Sequence, residues 1–203
     1  MSAAGMGKPY RPKDHYFHQA HKRGLRARSA FKIEEILNRF TLVHPGASVL
    51  DMGAAPGGFL QVLANAVGPT GTVMGIDRVP IQAMPQPQVR TAVIDVLAED
   101  FEERLLEQCP GNFDAIISDL APKTTGIRTT DQARSMELAD RALQVAVRRG
   151  KKDACFVAKL FMGADFEVFR DRVQSHFREV KVVRPEATRA GSTEVYLVGL
   201  GKR

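Results

Sequence analysis

The chain has 203 residues, enough for one α/β domain with a sizeable core and short for two. Its 44% hydrophobic and 26% charged residues are those of a soluble globular protein; no run of about 18 apolar residues offers a membrane span. The opening MSAAGMGKPYRPKDHYFHQAHKRG lacks the apolar stretch of a secretory signal.

The net charge of +6 is concentrated at one end. Lys8, Arg11, Lys13, Lys22, Arg23, Arg26, Arg28 and Lys32 precede Ile33 against Asp14 alone, which leaves the rest of the chain close to neutral. His15, His18 and His21 lie among these cations, and Tyr10, Tyr16, Phe17 and Phe31 are interleaved. Cations mixed with aromatics suit a polyanion, RNA first, although a basic tail alone fits a solubilising segment equally well. Cys109 and Cys155 lack metal-ligand spacing, so a reduced, cytoplasmic protein without a structural metal is expected.

In chain order, residues 1–24 read as an irregular basic arm and 25–203 as a single domain. From Ser29 the pattern is helical, with Phe31, Ile33, Ile36, Leu37 and Phe40 on one face. ASVLDMG is the first strand, followed by a glycine-rich turn and the helix FLQVLANAVG. TGTVMGIDR is the second strand and VRTAVIDV the third, with a proline-rich loop between them. Then come the helix AEDFEERLLEQC, the strand NFDAIISDLAP and a long amphipathic helix, DQARSMELADRALQVAVRR, with Gly150 at its C′ position. KDACFVAKLF is the fifth strand and ADFEVFRDRVQSHF the next helix. FREVKVVRP and STEVYLVGLG follow with no helix between them, as an antiparallel pair would. The alternation predicts a Rossmann-like α/β fold, a mostly parallel seven-stranded sheet whose last strand is antiparallel. That ending is the one an S-adenosylmethionine methyltransferase sheet has; a dehydrogenase sheet would continue β-α-β.

The strongest motif is VLDMGAAPGGFLQ, residues 49–61. A strand closes at Asp51, and Gly53, Gly57 and Gly58 allow the backbone to turn close to a ligand. Nucleotides bind at this carboxyl edge of open α/β sheets. The glycine pattern is neither the dinucleotide fingerprint nor a P-loop. Asp77 closes the second strand and suits two ribose hydroxyls; Asp95 closes the third and suits an adenine amine. Either could instead merely cap the segment that follows it. Phe59 is a candidate to pack over the cofactor or a core residue. Four further polar residues fall at element ends facing the same edge. Lys32 is on the first helix, Asp119 ends strand four, Lys159 ends strand five and Glu194 opens the last strand. A lysine after the apolar run ACFVA is costly to bury without a carboxylate.

RSAFKIEEI, FTLVHPGASVLDMGAAPGGFLQ, GIDRVPI, SDLAPKTTG, AKLFMG and RPEATRAGSTEVYLVG, in this order and spacing, resemble the FtsJ-like family of ribosomal RNA large-subunit 2′-O-methyltransferases. The resemblance runs from about Arg11 to Leu200. It implies a catalytic tetrad on Lys32, Asp119, Lys159 and Glu194. It also implies S-adenosyl-L-methionine contacts on Gly57, Phe59, Asp77, Asp95 and Asp119, to which the glycine turn adds Gly53. It further implies a uridine of large-subunit (23S) ribosomal RNA as target, within the large ribosomal subunit. A monomer without a membrane contact is expected. Phe59, Lys123, Met162 and Arg184 stand where the family usually has Trp, Asn, Gln and Lys. In that reading Lys159 activates the ribose hydroxyl, as a neutral base or as an ammonium that stabilises the alkoxide. A transfer-RNA or messenger-cap 2′-O-methyltransferase, a non-catalytic assembly factor on the same fold and a small-molecule methyltransferase are the rival readings.

Overall fold

The computed structural model describes residues 15–203. Six helices and seven strands run α1 (His15–Lys22), α2 (Ala30–Arg39), β1 (Ser48–Met52), α3 (Gly58–Val67), β2 (Thr72–Asp77), β3 (Val89–Val93), α4 (Phe101–Gln108), β4 (Phe113–Ser118), α5 (Arg128–Arg149), β5 (Gly150–Phe161), α6 (Phe166–His176), β6 (Phe177–Val183) and β7 (Glu194–Lys202). They form one sheet of order β3-β2-β1-β4-β5-β7-β6. Pairing is parallel from β3 through β5, and β7 lies antiparallel to both β5 and β6. The expected methyltransferase-type sheet, mostly parallel with an antiparallel last strand, is therefore present.

Alternation along the strands builds two core layers. Leu50, Ile116, Phe156, Ala158, Leu160 and Leu197 join the layer filled by α4, α5 and α6. Val49, Ala115, Ile117, Val157, Tyr196 and Val198 face the opposite side, where Ile33 and Ile36 of α2 and Leu60, Leu63 and Val67 of α3 close the second layer. The continuous apolar runs of the central strands follow from this burial on both faces.

Three details differ from the sequence expectation. Residues 15–22, within the segment read as irregular, are a helix; residues 1–14 of the predicted arm lie outside the described residues. Ala20 is buried in a small cluster with Phe31 and Ala187, against which Tyr16 packs, too few anchors for a visible helical period. β3 ends at Val93, short of the predicted Val96, because the Asp95 carboxylate accepts the Leu97 N–H at 3.0 Å and turns the chain. Gly150 is not a left-handed C′ residue: at φ −73° it opens β5 directly. Glycine suits it because an added Cβ would lie 2.5 Å from the Ala146 carbonyl oxygen.

Candidate active site

The carboxyl ends of β1 to β5 open into a cleft of about 650 Å³, within the range of small-molecule sites. Gly53 at the end of β1 sets its floor. With φ +81° it would place a Cβ 2.9 Å from the Leu120 nitrogen, so only glycine fits there. Asp77 and Asp95 line one side of the cleft and Asp119 and Lys159 another, with Ile94, Val96, Leu97 and Leu138 supplying apolar surface.

Asp77 accepts the N–H groups of Ala55 at 3.0 Å and Val79 at 3.1 Å, one on each oxygen. Asp95 accepts the Leu97 N–H on Oδ1. Both acids therefore cap the turns that follow them, as the plainer expectation had it, and both also face the cleft. A carboxylate has about four acceptor positions, so neither is saturated by these bonds.

Asp51, a third strand-end acid, behaves differently. It is fully buried, and among the described residues neither of its oxygens meets a donor. Burial, then the nearby charges of Asp119 and Asp77, pushes its carboxyl well above the usual carboxylate range. Asp51 thus sits behind the cleft with its carboxyl favoured towards the protonated form.

At the β4–β5 side of the cleft the side chains form a chain of contacts. Lys159 places Nζ 2.9 Å from an Asp119 carboxylate oxygen and donates to the Asp119 carbonyl at 2.7 Å. Tyr196 donates its hydroxyl to the same carboxylate at 2.6 Å. Lys32 lies 5.8 Å over the Tyr196 ring and pairs with Glu194 at 2.5 Å. The four side chains of the two ion pairs are 8–16% exposed. The antiparallel register explains the grouping. Lys159 stands directly opposite Tyr196, and Glu194 is two residues from Tyr196 on the same face. Burial first, then the charges of Asp119 and Glu194, raises the Tyr196 phenol well above its ordinary value, so it acts as a fixed donor.

Lys32, Asp119, Lys159 and Glu194 are thereby joined in one contact chain, and Gly53, Asp77, Asp95 and Asp119 line the cleft. Two of the expected cofactor residues do not. Phe59 is 3% exposed and packed in the core layer of α2 and α3, and Gly57 sits behind the cleft wall against Arg26 and Met84. Phe59 is the second residue of α3, and its ring packs into the core. Tyr196, missed in the sequence, was signalled by its period-2 spacing from Glu194.

The family model described as FtsJ-like methyltransferase matches residues 25–202. The chain belongs to the FtsJ-like methyltransferase family. It is similar to "Ribosomal RNA large subunit methyltransferase E" of Myxococcus xanthus, 61% identical over all of this chain and 95% of that one. The protein of the same name from Bdellovibrio bacteriovorus is 45% identical over 96% of this chain and 99% of its own length. A Plasmodium falciparum protein solved under the description of a ribosomal RNA methyltransferase superposes with a TM-score of 0.75 at 20% identity, covering 87% of this chain and 98% of that one. That likeness speaks for the FtsJ-like fold alone. This FtsJ-like chain is a methyltransferase, and no helix among its described residues is long and apolar enough to cross a membrane.

Proposed function

We propose that this enzyme methylates the ribose 2′-hydroxyl of a uridine in large-subunit ribosomal RNA, with S-adenosylmethionine as methyl donor. The observation that carries the reading is the Lys159–Asp119–Tyr196 contact at the edge of the cleft that Asp77 and Asp95 line. The names of the relatives supply the RNA class.

The residues present fit this cofactor. Asp77 would accept from the ribose hydroxyls and Asp95 from the adenine amine, among the apolar side chains of Ile94, Val96, Leu97 and Leu138. Gly53 and Asp119 would border the methionine end, while Gly57 and Phe59 shape the turn from behind. Bound there, S-adenosylmethionine supplies a methyl group on a sulfonium, a leaving group that needs no acid.

What remains for the protein is alignment and the hydroxyl proton. A lysine amine has three substituent positions beyond its stem, and two of them are committed to the Asp119 carboxylate and carbonyl. The third addresses the ribose oxygen. In the neutral amine it is a lone pair that accepts the proton; in the ammonium it is an N–H that neutralises the forming alkoxide. Either way Asp119 fixes the direction, and Tyr196 fixes Asp119. Lys32, held by Glu194 beside Tyr196, extends this fixed arrangement to α2.

The basic amino-terminal segment, residues 1–24, serves in this reading as the RNA-phosphate contact, with His15, His18 and Lys22 exposed on α1. The test is incubation of large ribosomal subunits from a strain lacking this enzyme with labelled S-adenosylmethionine, followed by mapping of the modified nucleotide. A single 2′-O-methylated uridine is the expected product. Label on a base or on no RNA would overturn the assignment.

A further inference from the structure

Arg26 belongs to the basic segment by composition and to the cofactor site by its bonds. Its guanidinium donates to three backbone carbonyls: Pro56 at 3.3 Å, Gln82 at 2.6 Å and Ala83 at 2.6 Å. Its own N–H donates to the Gln61 side chain at 2.8 Å, and the other end of that amide donates to the Gly24 carbonyl at 3.0 Å. Two cleft-wall loops therefore meet on one side chain. Pro56 lies in the turn after β1, which carries Gly53 and Ala55, and Gln82 and Ala83 lie in the loop after β2, which begins with Arg78 and Val79. These are also the loops whose Ala55 and Val79 N–H groups hold Asp77.

The packing is as close as the bonding. Gly57 adopts φ +107°, and a Cβ there would lie 3.1 Å from both Arg26 Cδ and Nη1. Gly58 packs against Ala27 in the same way, at 3.0 Å. The glycines of the turn thus admit the chain of residues 24–27 from behind, opposite the cleft.

We propose that Arg26 is a positioning residue for the cofactor cleft: it locks the turn after β1 to the loop after β2, and through them the orientation of Asp77. It is not a phosphate contact of the RNA-binding segment. The proposal rests on the reading of the cleft as the S-adenosylmethionine site. Charge is incidental to the role. What matters is a planar fork that reaches diverging carbonyls, which a lysine ammonium at the end of a flexible stem does not reproduce.

Arg26→Met and Arg26→Lys separate the two roles. Calorimetry with S-adenosylhomocysteine, and electrophoretic or anisotropy titration with a 23S ribosomal RNA fragment in the absence of cofactor, are run on both variants and the wild type. Loss of about one net hydrogen bond's worth of organisation predicts cofactor affinity weakened by about tenfold in both variants. Methyl transfer should fall at low cofactor and recover most of the way at saturation. RNA affinity of Arg26→Lys should match the wild type, with the same salt slope. Amide exchange at Ala55, Gly57 and Gln82–Met84 should quicken in both variants, a readout that needs no ligand. The proposal is overturned if Arg26→Lys binds cofactor within twofold of wild type. It is equally overturned if Arg26→Met keeps cofactor affinity while its RNA salt slope drops by about one. Should Arg26→Met fail to fold, Arg26→Lys carries the decision. If the wild type itself does not bind S-adenosylhomocysteine, the functional reading fails rather than this one.

Discussion

The two sides of the cleft are built in opposite ways. On the cofactor side, Asp77 and Asp95 are held by backbone N–H groups of residues close to them in sequence or in the adjoining turn. On the acceptor side, side chain meets side chain across long separations: Lys32 and Glu194 are 162 residues apart, and Asp119 and Tyr196 are 77 apart. A binding surface for a small cofactor can be made from local turns, which are cheap to specify. A group that must handle a proton needs charge partners brought from α2, β4, β5 and β7 at once, and only the closed sheet delivers them. The cofactor side should therefore respond to substitution in affinity, and the acceptor side in rate.

The largest effect is expected at Lys159. Lys159→Ala should lower the rate of methyl transfer by about a thousandfold or more, the range of a lost acid–base or alkoxide-stabilising group, with cofactor affinity nearly unchanged. Asp77→Ala should do the reverse. Removing two charge-assisted acceptors should weaken cofactor binding by roughly 30- to 1000-fold by calorimetry. A dissociation constant within threefold of wild type would remove Asp77 from the cofactor. Tyr196→Phe keeps the ring under Lys32 but takes one donor from Asp119, and a rate loss of about tenfold is expected from one charge-assisted hydrogen bond. If turnover is unaltered, Tyr196 has no part in fixing Asp119.

The smallest effect concerns stability. Burial holds the Asp51 carboxyl above its ordinary value of 3.8 in the fold, a shift that is lost in the unfolded chain. A raised folded value stabilises fully below that point and is lost as pH rises towards the folded value. Asp51→Asn does not titrate, so in cofactor-free protein its melting temperature should gain on the wild type as pH rises from about 4 to 8. A constant difference across that range would show that Asp51 is charged in the fold.

Much of this was legible in the sequence because contiguous patterns fix it. VLDMGAAPGG and GIDR announced the glycine turn and Asp77, and SDL and VAKLF announced two strand ends that must be neighbours. What escaped reading depends on tertiary context. Phe59 follows the glycines in sequence, which leaves cofactor and core both open, and only the fold packs its ring into the layer of α2 and α3. The strand VRTAVIDV reads as one run, although a side-chain bond at Asp95 ends it early. A count of the cations before Ile33 treats them as one cluster. In the fold Arg23 pairs with Glu34 at 2.7 Å, Arg28 donates to the Ala187 carbonyl and Arg26 holds the cleft loops. Composition counts charges; only the fold says which of them already have partners.

The difference between the two sides is tested most directly by single-turnover methyl transfer to large ribosomal subunits at saturating S-adenosylmethionine, with Asp77→Ala and Lys159→Ala measured side by side. Saturation should return Asp77→Ala to within about threefold of the wild-type rate, since only cofactor affinity is lost. Lys159→Ala should stay at least about a thousandfold slow, because no concentration of cofactor replaces the group that meets the hydroxyl. Near-wild-type transfer by Lys159→Ala would contradict the assignment of the acceptor side.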